Sequence, residues 1–347
     1  MKRILVVNQF NSENLGDKLL NLSLCDALKK RGIDILSCGY AQTTPQIMHY
    51  LCDNRKIHTL LHSLKRYLPN RLKYIIKYKR DLDKQLNTVN IKDCNGIVIG
   101  GGQLLKSKSV FLYCFQYWVK LSRKYNIPLY LYGIGIDDNL SAYEIKKYKC
   151  LISNVKYINC RDYFSYEFIK SRFDKECSLS PDIAFSYESQ MIKSKENVIV
   201  MPYCYHTAVS AFSFLLSRQE YYQMLLEKAM PFILSGKRMI VTATTSADIQ
   251  ESYKFIEWIN KKNIEMEMKY IYSIEMFENL FSSAECIISG RMHALIMGKI
   301  MDANIIPIEI SQKIKQFAYD YNTHEFDLNI ARKKSLDGID LLVANFN

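Results

Sequence analysis

The chain has 347 residues, 48 % hydrophobic and 24 % charged, which excludes a disordered, collagen-like or fibrous protein and predicts two domains at roughly 150 residues each. Lys plus Arg number 47 against 35 Asp plus Glu, and the formal charge of +12 favours an anionic partner: nucleic acid, an acidic membrane surface or a phosphorylated substrate. Ten cysteines, none in a C-x-x-C pair or near a His at zinc-ligand spacing, read as reduced and mostly buried thiols rather than a disulfide or zinc scaffold.

Residues 4–7 (Ile-Leu-Val-Val) form a short apolar run suited to a buried parallel strand. It begins almost at Met1, which leaves no room for a secretory leader, and no run approaches the ~18 apolar residues of a membrane span. The expectation is a cytoplasmic protein. A polar loop follows, then a helical pattern carried by Leu19, Leu20, Leu24 and Leu28, ended by Gly32, and a second strand at 33–36. The rhythm resumes with strands at 96–99, 128–132 and 157–160 and helices at 110–125, 143–153 and 163–171. A polar stretch at 186–196 interrupts it. Strands then fall at 198–201, 238–243, 267–272, 286–288 and 304–307, helices at 218–234, 249–261, 276–283 and 291–297, and a largely helical tail runs over 312–347. Alternating strands and helices in two blocks predict an α/β protein of two Rossmann-like domains with parallel sheets, facing a central cleft. The division is 1–187, 196–320 and a tail at 321–347. Ligands in such sheets bind outside the carboxyl ends of the strands.

One segment departs from the rhythm. Residues 63–80 hold seven basic side chains and no acidic one, with Leu64, Leu68, Leu72, Ile75 and Ile76 at helical spacing and three tyrosines interleaved. A helical insert at 63–84 drawn to anionic lipid fits this pattern, and so does a solvated helix packed on its own domain.

The chemistry-bearing motifs each follow a strand. Asn14-Leu-Gly16-Asp17 opens the first helix, where free N–H groups make an anion site and Asp17 is either the N-cap or a functional acid. Gly100-Gly101-Gly102 after the third strand suggests close backbone approach to a ligand, although neither a G-x-G-x-x-G nor a P-loop pattern is present. Tyr132-Gly-Ile-Gly135 repeats the idea. Arg161-Asp162, with Ser165, places a guanidinium at a strand end, fit for a carboxylate or phosphate or for an internal ion pair. Ser180-Pro181-Asp182 reads as a functional motif or as a turn. Ser289-Gly290-Arg291-Met292-His293 is the sharpest, with an Arg and a His at the turn from strand into helix.

Together, in this order and spacing from about residue 4 to about residue 320, these motifs resemble the polysaccharide pyruvyl transferases. The resemblance implies a GT-B-like fold and transfer of pyruvate from phosphoenolpyruvate to two hydroxyls of one sugar, giving a cyclic ketal and phosphate. It implies that Arg161, His293 and Lys313 contact phosphoenolpyruvate, with Lys315 a rival to Lys313. Arg291, Asn14, Gly16, Gly101, Gly102, Ser289 and Gly290 complete the expected substrate-binding set. His293 is the expected acid that protonates C3, and Asp17 and Asp162 are alternative bases. No metal and no cofactor is expected beside the donor substrate, and no nucleic acid as partner. The acceptor is expected on a lipid-linked, diphosphate-bearing repeat unit, with the protein peripheral on the inner face of the plasma membrane through the basic segment. A nucleotide-sugar glycosyltransferase of capsule or exopolysaccharide synthesis would use the same fold and is the alternative.

Overall fold

The computed structural model describes residues 1–39, 79–209 and 217–346, together with Pro69 and Leu72. The basic segment at 63–80 lies outside the described residues apart from Pro69, Leu72, Lys79 and Arg80.

The chain forms two compact units, Met1–Ser12 with Leu20–Ser186 and Ala331–Asn347, and Glu13–Leu19 with Tyr187–Ile330. In the first, β1 (Arg3–Asn8), β2 (Asp34–Gly39), β3 (Gly96–Leu105), β4 (Leu129–Ile136), β5 (Val155–Cys160) and β6 (Ser178–Leu179) build one parallel sheet in the order β2-β1-β3-β4-β5-β6. The helices among them are α1 (Leu15–Lys29), α2 (Arg80–Thr88), α3 (Phe111–Tyr125), α4 (Ala142–Ile152) and α5 (Tyr163–Phe168). A parallel sheet is covered on both faces, so its strands are apolar without alternation. Ile4 to Val7 are each 0 % exposed, and all of β4 is buried. Trp118 and Phe115 of α3 and Tyr148 of α4 pack into the same core as Leu5, Ile97 and Leu129.

The second unit is built the same way from β7 (Asn197–Met201), β8 (Arg238–Val241), β9 (Glu267–Met268), β10 (Ala284–Ser289) and β11 (Asn304–Pro307), in the order β11-β10-β7-β8-β9, all parallel. Its helices are α6 (Tyr205–Val209), α7 (Arg218–Leu234), α8 (Ser246–Asn260), α9 (Ile274–Ser282), α10 (Met292–Ile300) and α11 (Gln312–Tyr321). Chain order runs outward from β7 through β8 to β9 on one side and from β10 to β11 on the other. The topological switch point therefore lies between β7 and β10, where an open α/β sheet offers a crevice to ligands.

Three sequence expectations change. The tail is not a separate piece: α12 (Leu328–Ala344) returns to the first unit, where the Tyr132 hydroxyl donates to the Ser335 carbonyl at 3.1 Å and Arg31 Nη2 reaches Asp340 Oδ2 at 2.9 Å. The strand expected at 267–272 pairs only over Glu267–Met268, because it is the sheet edge, and beyond it Tyr270 and Tyr272 stack on each other instead. The third strand does not stop before its glycines. β3 runs on to Leu105, with Gly100 opposite Tyr132 and Gly102 opposite Ile134. Gly101 and Gly102 thus lie within a paired strand at φ +77° and +95°, where glycine relieves a distortion of the ladder, and do not form a ligand-cradling loop after it.

Candidate active site

Loops at the carboxyl ends of β7, β8 and β10 meet in the second unit, and two of the sequence motifs, Asn14–Asp17 and Ser289–His293, come together there. Asn14 opens α1: its Oδ1 accepts the Gly16 N–H at 3.0 Å and its carbonyl accepts those of Asp17 and Lys18. Asn14, and not Asp17, is therefore the cap. Asp17 sits in the first turn with a half-buried side chain. The segment is tied to the loop after β8 by the Leu15 N–H on the Thr244 carbonyl at 3.3 Å and by the Ser246 hydroxyl on Glu13 Oε1 at 2.6 Å.

His293 stands in the first turn of α10, packed over Gly16. A Cβ built on Gly16 would lie 2.9 Å from His293 Cγ and closer still to Nδ1. Only a glycine admits the ring at that place, which gives the Gly16-Asp17 motif a steric cause.

Arg291 precedes α10 and is held at several points. Ser289 Oγ, fully buried, accepts its backbone N–H at 3.0 Å. Its Nε donates to Asp248 Oδ2 at 2.6 Å and its Nη2 to Thr245 Oγ1 at 3.2 Å, while the guanidinium lies 4.0 Å from the centre of the Tyr203 ring. Burial pulls the pKa of this arginine down, but the Asp248 carboxylate offsets that, and with Tyr203 and Asp17 adding to the negative field the net shift is upward. Gly290 is packed rather than bent: a Cβ there would lie 2.8 Å from Ile310 Cδ1. Three residues beyond Ile310, Lys313 is half-buried near the start of α11, whereas Lys315 is exposed.

Arg161 and Asp162 belong to the first unit. Arg161 is 5 % exposed, and its Nη1 donates to Asp182 Oδ2 at 3.0 Å between side chains 3 % and 5 % exposed. The Asp of Ser180-Pro181-Asp182 is thus the partner of the Arg161 motif, and its other oxygen accepts the Ala184 N–H at 3.0 Å. The second glycine of Tyr132-Gly-Ile-Gly135 has its place here too. A Cβ on Gly135 would come within 3.2 Å of Arg161 Nε and Nη2. Asp162 caps α5, with Oδ1 accepting the Ser165 N–H at 2.8 Å, and Ser165 Oγ in turn accepts the Ile136 N–H at 2.9 Å. One oxygen of Asp162, an alternative base, is thus taken by a helix end, while Asp17 lies close enough to Arg291 to act on its charge.

Sequence reading missed Asp248, Thr245 and Tyr203. The first two carry a signal, since Thr245 and Asp248 stand at capping-box spacing directly after a strand. Tyr203 carries none beyond following a strand. Among the described residues no group of three or more His, Cys, Asp or Glu could hold a metal ion, and every described cysteine is a free thiol. Burial pushes the Cys38, Cys114 and Cys286 thiols up to about 12.

The fold is similar to UDP-GlcNAc 2-epimerase from Methanocaldococcus jannaschii, with a TM-score of 0.53, 9 % sequence identity, and coverage of 99 % of this chain and 100 % of that one. It is equally similar to UDP-GlcNAc 2-epimerase from Neisseria meningitidis bound to UDP-GlcNAc, at TM-score 0.53, 9 % identity and coverage of 100 % and 93 %. Two parallel Rossmann-like sheets with these relatives define a GT-B-like α/β protein. No protein of curated function matches the sequence. The profile of the polysaccharide pyruvyl transferases matches residues 14–311, from the Asn14 cap to Ser311 before α11. The chain belongs to the polysaccharide pyruvyl transferase family and is a transferase.

Proposed function

We propose that this transferase takes pyruvate from phosphoenolpyruvate and closes it as a cyclic ketal on two hydroxyls of one sugar, releasing phosphate. The observation that carries the reading is the turn at the second sheet's switch point, where His293 packs on Gly16 and Arg291 feels the charge of Asp17. Phosphoenolpyruvate is a carboxylate and a phosphate on one enol carbon. An arginine fork suits either anion, and the half-buried Lys313 adds a point charge.

In this reading the first sugar oxygen attacks C2 as His293 delivers a proton to C3, turning the methylene into a methyl group. Asp17 takes the proton of the attacking hydroxyl. The second hydroxyl then attacks C2 and gives its proton back to His293, the C2–O bond to phosphate breaks, and phosphate leaves with the bonding electron pair and the proton held on Asp17. The ketal retains every pyruvate carbon, and no oxidant or reductant is consumed.

Calorimetric titration with phosphoenolpyruvate, and with a panel of nucleotide sugars as the competing donor class, tests the reading without an acceptor. Saturable binding of phosphoenolpyruvate is expected, weakened by Arg291→Ala and by His293→Ala. His293→Ala should also lower kcat by about 10²- to 10⁴-fold in a phosphate-release assay, the range for loss of a positioned acid. Binding of a nucleotide sugar in place of phosphoenolpyruvate would transfer the protein to the glycosyltransferase reading.

The acceptor in this proposal is a sugar of a lipid-linked repeat unit, reached through the basic segment at 63–80. Flotation with anionic liposomes should then be lost when Lys65, Arg66, Arg71 and Lys73 are all replaced by Glu. Flotation that is absent in the parent protein, or indifferent to those charges, removes the membrane from the proposal and leaves the donor chemistry untouched. No helix among the described residues is long and apolar enough to cross a bilayer.

A further inference from the structure

We infer that Asp248 is a positioning residue for substrate binding, acting through Arg291, and that Glu251 one turn later is a related pairing serving the fold alone. The inference rests on the reading of Arg291 as a ligand of phosphoenolpyruvate.

The two carboxylates lie three residues apart on α8, hence on one face, and are 2 % and 3 % exposed. Two carboxylates so placed are tolerated only where each is paired, and each meets one backbone N–H and one arginine. Asp248 Oδ1 accepts the Cys204 N–H at 2.9 Å, and Glu251 Oε2 accepts the next one, Tyr205 N–H, at 3.0 Å. Asp248 Oδ2 accepts a hydrogen bond from Arg291 Nε at 2.6 Å, whereas Glu251 Oε1 accepts the Tyr222 hydroxyl and forms an ion pair with Arg218, whose Nε lies 2.9 Å away without hydrogen-bond geometry. Arg291 then lies over Tyr203 and Arg218 over Tyr205, two residues further on at the start of α6, with cation-to-centroid distances of 4.0 and 4.7 Å.

The arginines differ in where they start. Arg218 opens α7. Arg291 leaves the end of β10 two residues before His293, at the switch point. Its guanidinium is fixed by Nε on Asp248, by Nη2 on Thr245 and by one face on Tyr203. A guanidinium has five N–H donors, so the outer fork, one N–H from each Nη, is left for a carboxylate or phosphate. An arginine already ordered by its own protein loses little further freedom when the anion arrives. Paired with Asp248 it also contributes little net charge, so what it offers is geometry. That is why removing Asp248 should cost affinity even though it removes a negative charge from beside an anion.

The test measures phosphoenolpyruvate dissociation constants and thermal midpoints for the full-length parent, Asp248→Asn, Glu251→Gln, Arg291→Lys and the double variant Asp248→Asn/Arg291→Lys. Asp248→Asn should weaken binding roughly tenfold or more, as loss of an orienting partner does elsewhere. Glu251→Gln should lower the midpoint comparably while leaving affinity within about twofold of the parent, the range in which separate sites stay independent. The double variant should bind no more weakly than Arg291→Lys alone, since Asp248 acts only through that side chain. Equal loss of affinity in Asp248→Asn and Glu251→Gln would show both carboxylates serving the loop, and would overturn the inference. So would unchanged affinity in Asp248→Asn. If Arg291→Lys binds as the parent does, it is the underlying assignment of Arg291 that fails, and this inference falls with it. Should Asp248→Asn not fold, the ring reads the same arrangement: Tyr203→Leu is expected to weaken binding several-fold and Tyr203→Phe, which keeps the face, to leave it as in the parent. Equal affinities in those two would count against it.

Discussion

Gly16→Ala should leave a protein that folds and melts like the parent but turns over at least about 10²-fold more slowly, the scale on which a misplacement of roughly 1 Å acts on catalysis. Gly16 lies inside α1 and its φ is not in the left-handed region, so the backbone accepts alanine there, and alanine is the better helix former by about 1 kcal/mol. The added methyl group has no room, however, because it meets the imidazole of His293 at Cγ and at Nδ1. Helix and ring cannot both keep their places, and the ring, on a side-chain hinge, is the one that yields. Thermal unfolding alongside a phosphate-release assay reads the two consequences separately. A fully active Gly16→Ala protein would mean that the position of His293 over the first turn of α1 is irrelevant to turnover, and would remove the steric reason offered for this glycine.

Arg161→Ala is expected to lower stability by about 3–5 kcal/mol, the range for removing one partner of a buried ion pair. For units of this size that is a drop of roughly 10 °C in the melting midpoint. The charge left behind is Asp182, 4 % exposed, with one oxygen satisfied by the Ala184 N–H and the other stripped of its guanidinium. Arg161→Met combined with Asp182→Leu should recover most of the loss, because replacing both members of a buried pair by apolar groups of similar volume is often neutral or better. The double replacement also separates two roles that a single mutant confounds. If Arg161 touches the donor as the family resemblance implies, the stable double variant should still bind phosphoenolpyruvate more weakly than the parent. If its affinity equals the parent's, Arg161 is an internal strut and nothing more.

The alternation of strands and helices was legible because parallel strands buried on both faces are short unbroken apolar runs. Ile4 to Val7 and Cys286 to Ile288 stand out for that reason. The edge at Glu267–Met268 was not, since an edge strand is defined by what it lacks on one side. Gly101 and Gly102 misled because a glycine run after an apolar run reads as a loop, while pairing with β4 draws it into the strand. In the candidate site, the sequence motifs name residues with charged or polar ends and not the groups that hold them. Asp182 was visible as part of Ser-Pro-Asp, but that it answers Arg161 depends on the placement of β5 beside the chain leaving β6. Asp248 and Tyr203 come from separate strand–loop segments and meet Arg291 only once β7, β8 and β10 are adjacent.

The division of the chain has a consequence for how it is made. The first unit needs residues 331–347, which leave the ribosome after the whole of the second unit. The second needs residues 13–19, which precede most of the first unit in the chain. Folding one domain at a time from the N-terminal side, the usual course during synthesis, would leave a nascent first unit without the helix that receives the Tyr132 hydroxyl. A fragment beginning at residue 188 would likewise carry the histidine of the second unit without the glycine turn it packs on.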